Sequence, residues 1–211
     1  MINNLRSIYK TLVCSLCLLM VPIFGYSQNI EITPTFGYMF GGSIRGYDAE
    51  ADLSDNINYG GSIGLQMDAQ GWLEFTYIGQ SSTATIRRYG IIDDEREIDL
   101  HTSYIHVGVS RESQLGDVTP FGSLSLGLTI FNPKESGLSS HTFSSVNFGA
   151  GVKALVGESV GIKLQGRLLV PVAFAGGTVW CGTGGCGLGY ASYATIVQGD
   201  FSLGVFYRLD R

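Results

Sequence analysis

Apolar and polar side chains alternate with a period of two through most of the chain after residue 28. In the first such segment Ile30, Ile32 and Phe36 share one face, while Glu31 and Thr33 lie on the other. This alternation predicts β-strands with one apolar and one polar face, and no later segment has a convincing helical period. The eight predicted strands cover residues 30–40, 59–67, 72–83, 98–110, 120–131, 146–156, 160–170 and 197–209.

The connections between these segments alternate in length. The long ones cover 41–58, 84–97, 132–142 and 171–194, and the short ones cover 68–71, 111–119 and 157–159. Outer-membrane barrels have long extracellular loops and short periplasmic turns. The alternation therefore favours an antiparallel barrel whose two chain ends both lie in the periplasm.

The composition of the polar face predicts which side of the barrel faces outward. That face is mostly Gly, Ser, Thr and Gln, and charged residues are only 15% of the chain, against about 25% in average soluble proteins. A soluble barrel would need a charged exterior, whereas small residues suit the crowded interior of a narrow one. We therefore predict an all-β fold, an eight-stranded antiparallel up-and-down transmembrane β-barrel with its apolar face towards lipid.

A few charged residues fall on the small-residue face and are expected inside the barrel. Both signs occur at similar depths, as buried charges require if they are to be paired. Ion pairs would then plug the interior and fix the strand register; the alternative is a polar lumen that conducts. The predicted interior charges are Glu31, Glu74, Lys153, Lys163, Arg167 and Asp200.

The N-terminus predicts export from the cytoplasm. Arg6 and Lys10 precede an apolar stretch at 11–24, which is typical of a signal peptide. We place the signal peptide at 1–27 and the barrel at 28–211, in a bacterial outer membrane. All 18 acidic residues follow the predicted cleavage site, so the acidic barrel lacks the basic footprint of a nucleic-acid-binding protein.

Several stretches resemble the outer-membrane β-barrel domain superfamily that includes the OmpA/OmpX-like eight-stranded barrels. They are GWLEFTY, PFGSLSLGLTIFNPK, NFGAGVKALV and VGIKLQGRLLVP. The resemblance implies outer-membrane lipid and lipopolysaccharide as surroundings, and the barrel-insertion machinery as a partner during biogenesis. Members serve as structural anchors, adhesins, narrow pores or lipid-modifying enzymes. We expect a monomeric structural or surface-interaction protein; a narrow pore is the alternative, and a lipid-modifying enzyme the third possibility.

Cys181 and Cys186 are the only cysteines after the predicted signal peptide, and both lie in the last long connection. Because an exported compartment is oxidising, we expect a disulfide between them. The rival interpretation, a metal site, lacks further cysteine or nearby histidine ligands.

Two other clusters could carry chemistry. His101 and Ser103 share a strand face with Asp99, but no acidic residue is clearly placed beside His101 on a neighbouring strand, and we expect no catalysis. The acidic residues of the first two long connections either bind divalent cations or are simply solvated; they are Asp48, Glu50, Asp52, Asp55, Asp93, Asp94, Glu95 and Glu97. We predict no cofactor, no metal and no enzymatic activity.

Overall fold

The computed structural model describes residues 29–45, 49–88, 94–113, 115, 118–135, 140–172, 174–182, 185–192 and 197–209. The predicted signal peptide lies outside these ranges. The strands within them are β1 (Ile30–Phe40), β2 (Ser43–Arg45), β3 (Ala49–Leu53), β4 (Asn56–Gln66), β5 (Gly71–Arg88), β6 (Asp94–Glu112), β7 (Val118–Pro133), β8 (His141–Leu155), β9 (Val160–Val172), β10 (Phe174–Gly182), β11 (Gly185–Ser192) and β12 (Gln198–Leu209).

Eight of these strands form a closed antiparallel barrel in the order β1, β4, β5, β6, β7, β8, β9 and β12. The last strand pairs with the first, with Ile30 opposite Leu209 and Phe36 opposite Leu203. Closure leaves no unpaired strand edge, which is what a sheet surrounded by lipid requires. The predicted eight-stranded barrel is confirmed.

The strands differ from the predicted segments mainly at the end with the long connections, called here the long-link end. β5 and β6 have 18 and 19 residues, so their hairpin takes up most of the connection predicted at 84–97. β2 and β3 form a hairpin within the first long connection, and β3 pairs with the far part of β5. β10 and β11 pair with each other in the last long connection.

The burial of side chains is inverted relative to a soluble protein. Phe36 is 60% exposed and Leu126 64% exposed on the outer wall. Polar side chains such as Thr33, Asn58 and Gln80 are buried inside. The alternating pattern therefore places apolar side chains where lipid would cover them and polar side chains where the barrel covers them, as membrane barrels do.

Apolar side chains fill one level of the interior. Met39, Ile78, Tyr104 and Leu169 form a fully buried cluster, called here the apolar cluster. Leu100 and Phe131 form a second cluster towards the long-link end. Towards the short connections the interior holds buried charged side chains together with the rings of Trp72, Phe121 and Phe206.

Within the described ranges, no helix has the length and apolarity needed to cross a bilayer.

Candidate functional site

Four charged side chains meet inside the barrel at the end with the short connections, called here the short-turn end. Lys153 Nζ lies 2.5 Å from Glu31 Oε1 and 2.6 Å from Glu112 Oε1. Arg208 lies 3.1 Å from Glu31 through Nε and 3.3 Å from Glu112 through Nη2. Each cation therefore bridges both carboxylates, and we name these four residues the rim cluster.

The rim cluster is assembled by strand geometry. Its residues come from β1, β6, β8 and β12, each near the strand end beside the short connections. Because side chains alternate across a strand, a charge at the right parity must point inward. The cluster thus ties together strands that are far apart in sequence, at the place where the first barrel strand pairs with the last.

Aromatic rings surround the rim cluster. Lys153 Nζ lies 5.3 Å from the ring centroid of Trp72, 5.5 Å from that of Phe121 and 5.6 Å from that of Phe206. Ammonium groups at this range are attracted to the negative ring faces. The rings also exclude water, so the charges depend on one another and on the rings for compensation.

Two more ion pairs lie further along the interior. Lys163 Nζ is 3.4 Å from Glu74 Oε1, which also accepts a 2.8 Å hydrogen bond from Ser110 Oγ. Arg167 Nε donates to Asp200 Oδ2 at 2.6 Å, and Asn58 Nδ2 donates to Asp200 Oδ1 at 2.5 Å. Both carboxylates thus have a cation and a neutral donor.

The six charges expected in the interior all face inward and are buried or nearly so. The structure brings Glu31 together with Lys153, Glu74 with Lys163, and Arg167 with Asp200. Sequence reasoning missed Glu112 and Arg208 as interior charges. Glu112 lies two residues after the inward-facing Ser110, so extending the period by one step would have found it.

A small cavity lies among the polar and charged side chains of the interior. Thr35, Ser62, Glu74, Lys163 and Arg167 are among its lining residues. Its accessible volume is about 10 Å³, and a cavity of roughly that volume holds one water molecule. One water molecule in the cavity could therefore hydrate the polar groups that line it, but the cavity is too small for a larger solute.

His101 and Ser103 contact other residues rather than each other. His101 Nδ1 lies 3.1 Å from Ser81 Oγ, and Ser103 Oγ lies 3.5 Å from the Tyr77 hydroxyl. Asp99 lies opposite Thr83 in the register of β5 and β6. The described contacts therefore do not join His101 to Ser103 as a base and a nucleophile.

A second histidine, which the sequence did not single out, is inside the barrel. His106 Nε2 lies 2.8 Å from Ser145 Oγ, and its ring lies 6.1 Å from that of Tyr104. Tyr104 in turn donates to Gln198 Oε1. These contacts connect β6 with β8 and β12 across the barrel.

The structure describes the two cysteines and the acidic segments only in part. Cys181 and Cys186 lie directly opposite each other in the register of β10 and β11, while their side chains lie outside the described part. Asp48 and Asp93 lie outside the described residues altogether. Among the described residues, no group of three or more His, Cys, Asp or Glu side chains is arranged to hold a metal ion.

Comparison with known proteins identifies the architecture. The outer membrane protein OprG from Pseudomonas aeruginosa matches with a TM-score of 0.60 at 11% identity, covering 88% of this chain and 97% of that one. Neisserial surface protein A matches with a TM-score of 0.55 at 14% identity, covering 87% of this chain and 98% of that one. No protein-family model and no curated protein sequence matches the chain. The likeness shows a shared fold, that of the eight-stranded outer-membrane β-barrels.

Proposed function

We propose that this chain, which has the fold of the outer-membrane β-barrels, is an integral protein of the bacterial outer membrane that acts through its long-link end. The barrel serves as the anchor, and the interior does not conduct. Its work is structural or consists of binding at the cell surface, and it catalyses no reaction.

The rim cluster is the observation that carries the non-conducting interior. Its four side chains are mutually paired, and Lys153 and Glu31 are 2% exposed. An ion crossing this level would have to displace buried charges from their partners, which is costly in a low dielectric. The apolar cluster adds fully buried apolar side chains that narrow the interior at a second level.

The long β5–β6 hairpin supports a role at the long-link end. β1 and β4 have 11 residues each, whereas β5 and β6 are longer and continue past them. The β2–β3 hairpin pairs against this extension, which makes it a sheet rather than a single ribbon. A paired sheet holds its backbone in a fixed arrangement, which lowers the entropic cost of binding a partner.

Single-channel recording in planar bilayers tests the closed interior. We expect fluorophore-labelled protein, seen to be present in the bilayer, to give no steady open current. Steady currents from the unmodified protein would contradict the proposal and favour the narrow pore for small solutes.

Surface binding requires a different test. A photoreactive crosslinker attached at Lys134, which is exposed near the long-link end, should capture a partner on live cells. A barrel carrying the crosslinker on the exposed short turn at Glu158, through Glu158→Lys in a Lys134→Arg background, is the matched control. Identical capture from both positions would contradict a binding role for the long-link end.

A further inference from the structure

One charged side chain lies on the outer wall close to the short-turn end. Arg111 faces outward from β6 and is exposed, and its outward neighbours along that strand are Val109 and Val107. Among the described residues no carboxylate oxygen lies within 4.0 Å of its guanidinium, and its charge acts on Asp68 at longer range. A charge on a lipid-facing wall is costly unless it reaches the headgroup level or a partner there.

Arg111 borders an open groove in the same wall. The groove has a volume of about 490 Å³, and its lining is mainly apolar and includes Met67, Val109 and Leu124. Gly122 lies in the groove, and a Cβ placed there would have no heavy atom within 4 Å. The missing side chain leaves a space between strands that lipid has to fill.

An opposite charge lies at the same groove. Asp68, in the turn between β4 and β5, also lines it. Asp68 Oδ1 accepts hydrogen bonds from the backbone N–H groups of Gln70 at 2.8 Å and Gly71 at 2.7 Å, which fix the carboxylate in place. These two hydrogen bonds, with the positive charge of Arg111 as a further cause, lower the pKa of Asp68 below its usual value, so the group is ionised at neutral pH.

We propose that this groove binds one phospholipid whose headgroup carries both a phosphodiester and a primary ammonium. Arg111 contacts the phosphate, Asp68 contacts the ammonium, and an acyl chain lies along Val109 and Leu124 over Gly122. The inference rests on the proposed membrane placement, because that placement brings phospholipid headgroups to the short-turn end.

The charge arrangement favours this headgroup over others. A guanidinium presents paired N–H donors that match two phosphate oxygens. A carboxylate beside a purely anionic headgroup would repel it, whereas a carboxylate beside an ammonium forms a second ion pair. A zwitterionic headgroup uses both charges, and an anionic headgroup such as phosphoglycerol uses only one.

Native mass spectrometry of the full barrel in detergent tests the proposal, with phosphatidylethanolamine and phosphatidylglycerol added in turn to delipidated protein. We expect one phosphatidylethanolamine to be retained, with affinity lowered about tenfold by Arg111→Ala, the loss of one charged hydrogen-bonded contact. Asp68→Asn should reduce the preference for phosphatidylethanolamine over phosphatidylglycerol, and Gly122→Leu should block both lipids.

Matched variants keep the result interpretable. Glu158→Gln removes an exposed acid from another short turn, and Gly166→Leu adds the same side chain to the wall at β9, where a Cβ has only ordinary contacts. Both should bind lipid as the unmodified protein does, and the heat-dependent gel shift of a folded barrel should be present in every variant.

Equal retention of the two lipids, or unchanged binding in Arg111→Ala, would overturn the proposal. So would competition by glycerophosphoethanolamine as strong as by the intact lipid, since the headgroup alone would then be the ligand. The conductance of the barrel does not enter this test, so its failure leaves the proposed closed interior unaffected.

Discussion

Lys153 is the residue on which the rim cluster depends most. Replacing it with Met keeps the bulk of the side chain near the aromatic rings but leaves Glu31 and Glu112 with Arg208 alone. Removing one partner from a buried ion pair costs about 3–5 kcal/mol. We expect Lys153→Met to lower the free energy of unfolding by about that amount, measured by urea denaturation in micelles through tryptophan fluorescence.

Lys134→Met is the control for this substitution, because Lys134 is exposed. A surface change of this kind should stay within about 0.5 kcal/mol. Equal effects of the two substitutions would contradict the assignment of Lys153 as the central charge.

Two glycines of β7 differ in how much space a side chain would find, and alanine substitutions at them test the packing of this strand. A Cβ at Gly127 would lie 1.9 Å from the Ile105 carbonyl oxygen, whereas a Cβ at Gly122 meets open space. Overpacking of this kind costs about 1–3 kcal/mol. Gly127→Ala should therefore lower the urea midpoint of unfolding, while Gly122→Ala should leave it nearly unchanged. The reverse order would contradict the packing described for β7.

At the scale of strands, the sequence predicted the barrel well because the alternation of apolar and polar side chains shows directly which residues face lipid. The bounds of β1 match the predicted segment, and those of β9 differ by two residues at one end. Glu112 was missed because the polar run around Arg111 resembles the start of a turn. The strands β2, β3, β10 and β11 were missed because they lie in the long connections and form by backbone pairing. Their side chains are not sorted into a lipid-facing and an interior-facing set, so their sequences do not show the alternation.

The β10–β11 hairpin leads to a prediction about covalent structure. Its register places Cys181 opposite Cys186, and opposed residues of antiparallel strands lie about 4.5–5.5 Å apart at Cα, within the range for a disulfide. We expect the exported protein to gain no mass on alkylation without reductant. After reduction it should gain two alkyl groups, and Cys181→Ala should gain one without reductant. Two reactive thiols in unreduced protein would contradict the disulfide.

At the scale of the whole molecule, the described interior contains balanced charge. Four carboxylates meet four cations in three groups, so no described buried ionised side chain is left without an opposite charge. Among the described residues the outer wall carries few charges: Arg111 lies near the short-turn end, and Glu97, Asp99 and Lys134 lie near the long-link end. The inner surface of the sheet therefore holds paired charges, whereas the outer surface is mostly apolar. The period of two in the sequence produces both surfaces from the same strands.

The orientation of the barrel can be tested with its lysines. Of the three after the predicted signal peptide, Lys153 and Lys163 are buried in the interior, and Lys134 is exposed next to β7 at the long-link end. If that end faces the cell exterior, a membrane-impermeant amine reagent applied to intact cells should modify Lys134. Peptide mass spectrometry would locate the label, and Lys134→Arg should abolish it. Labelling of Lys134 only after the outer membrane is permeabilised would place the long-link end in the periplasm, and the surface role proposed for it would then be wrong.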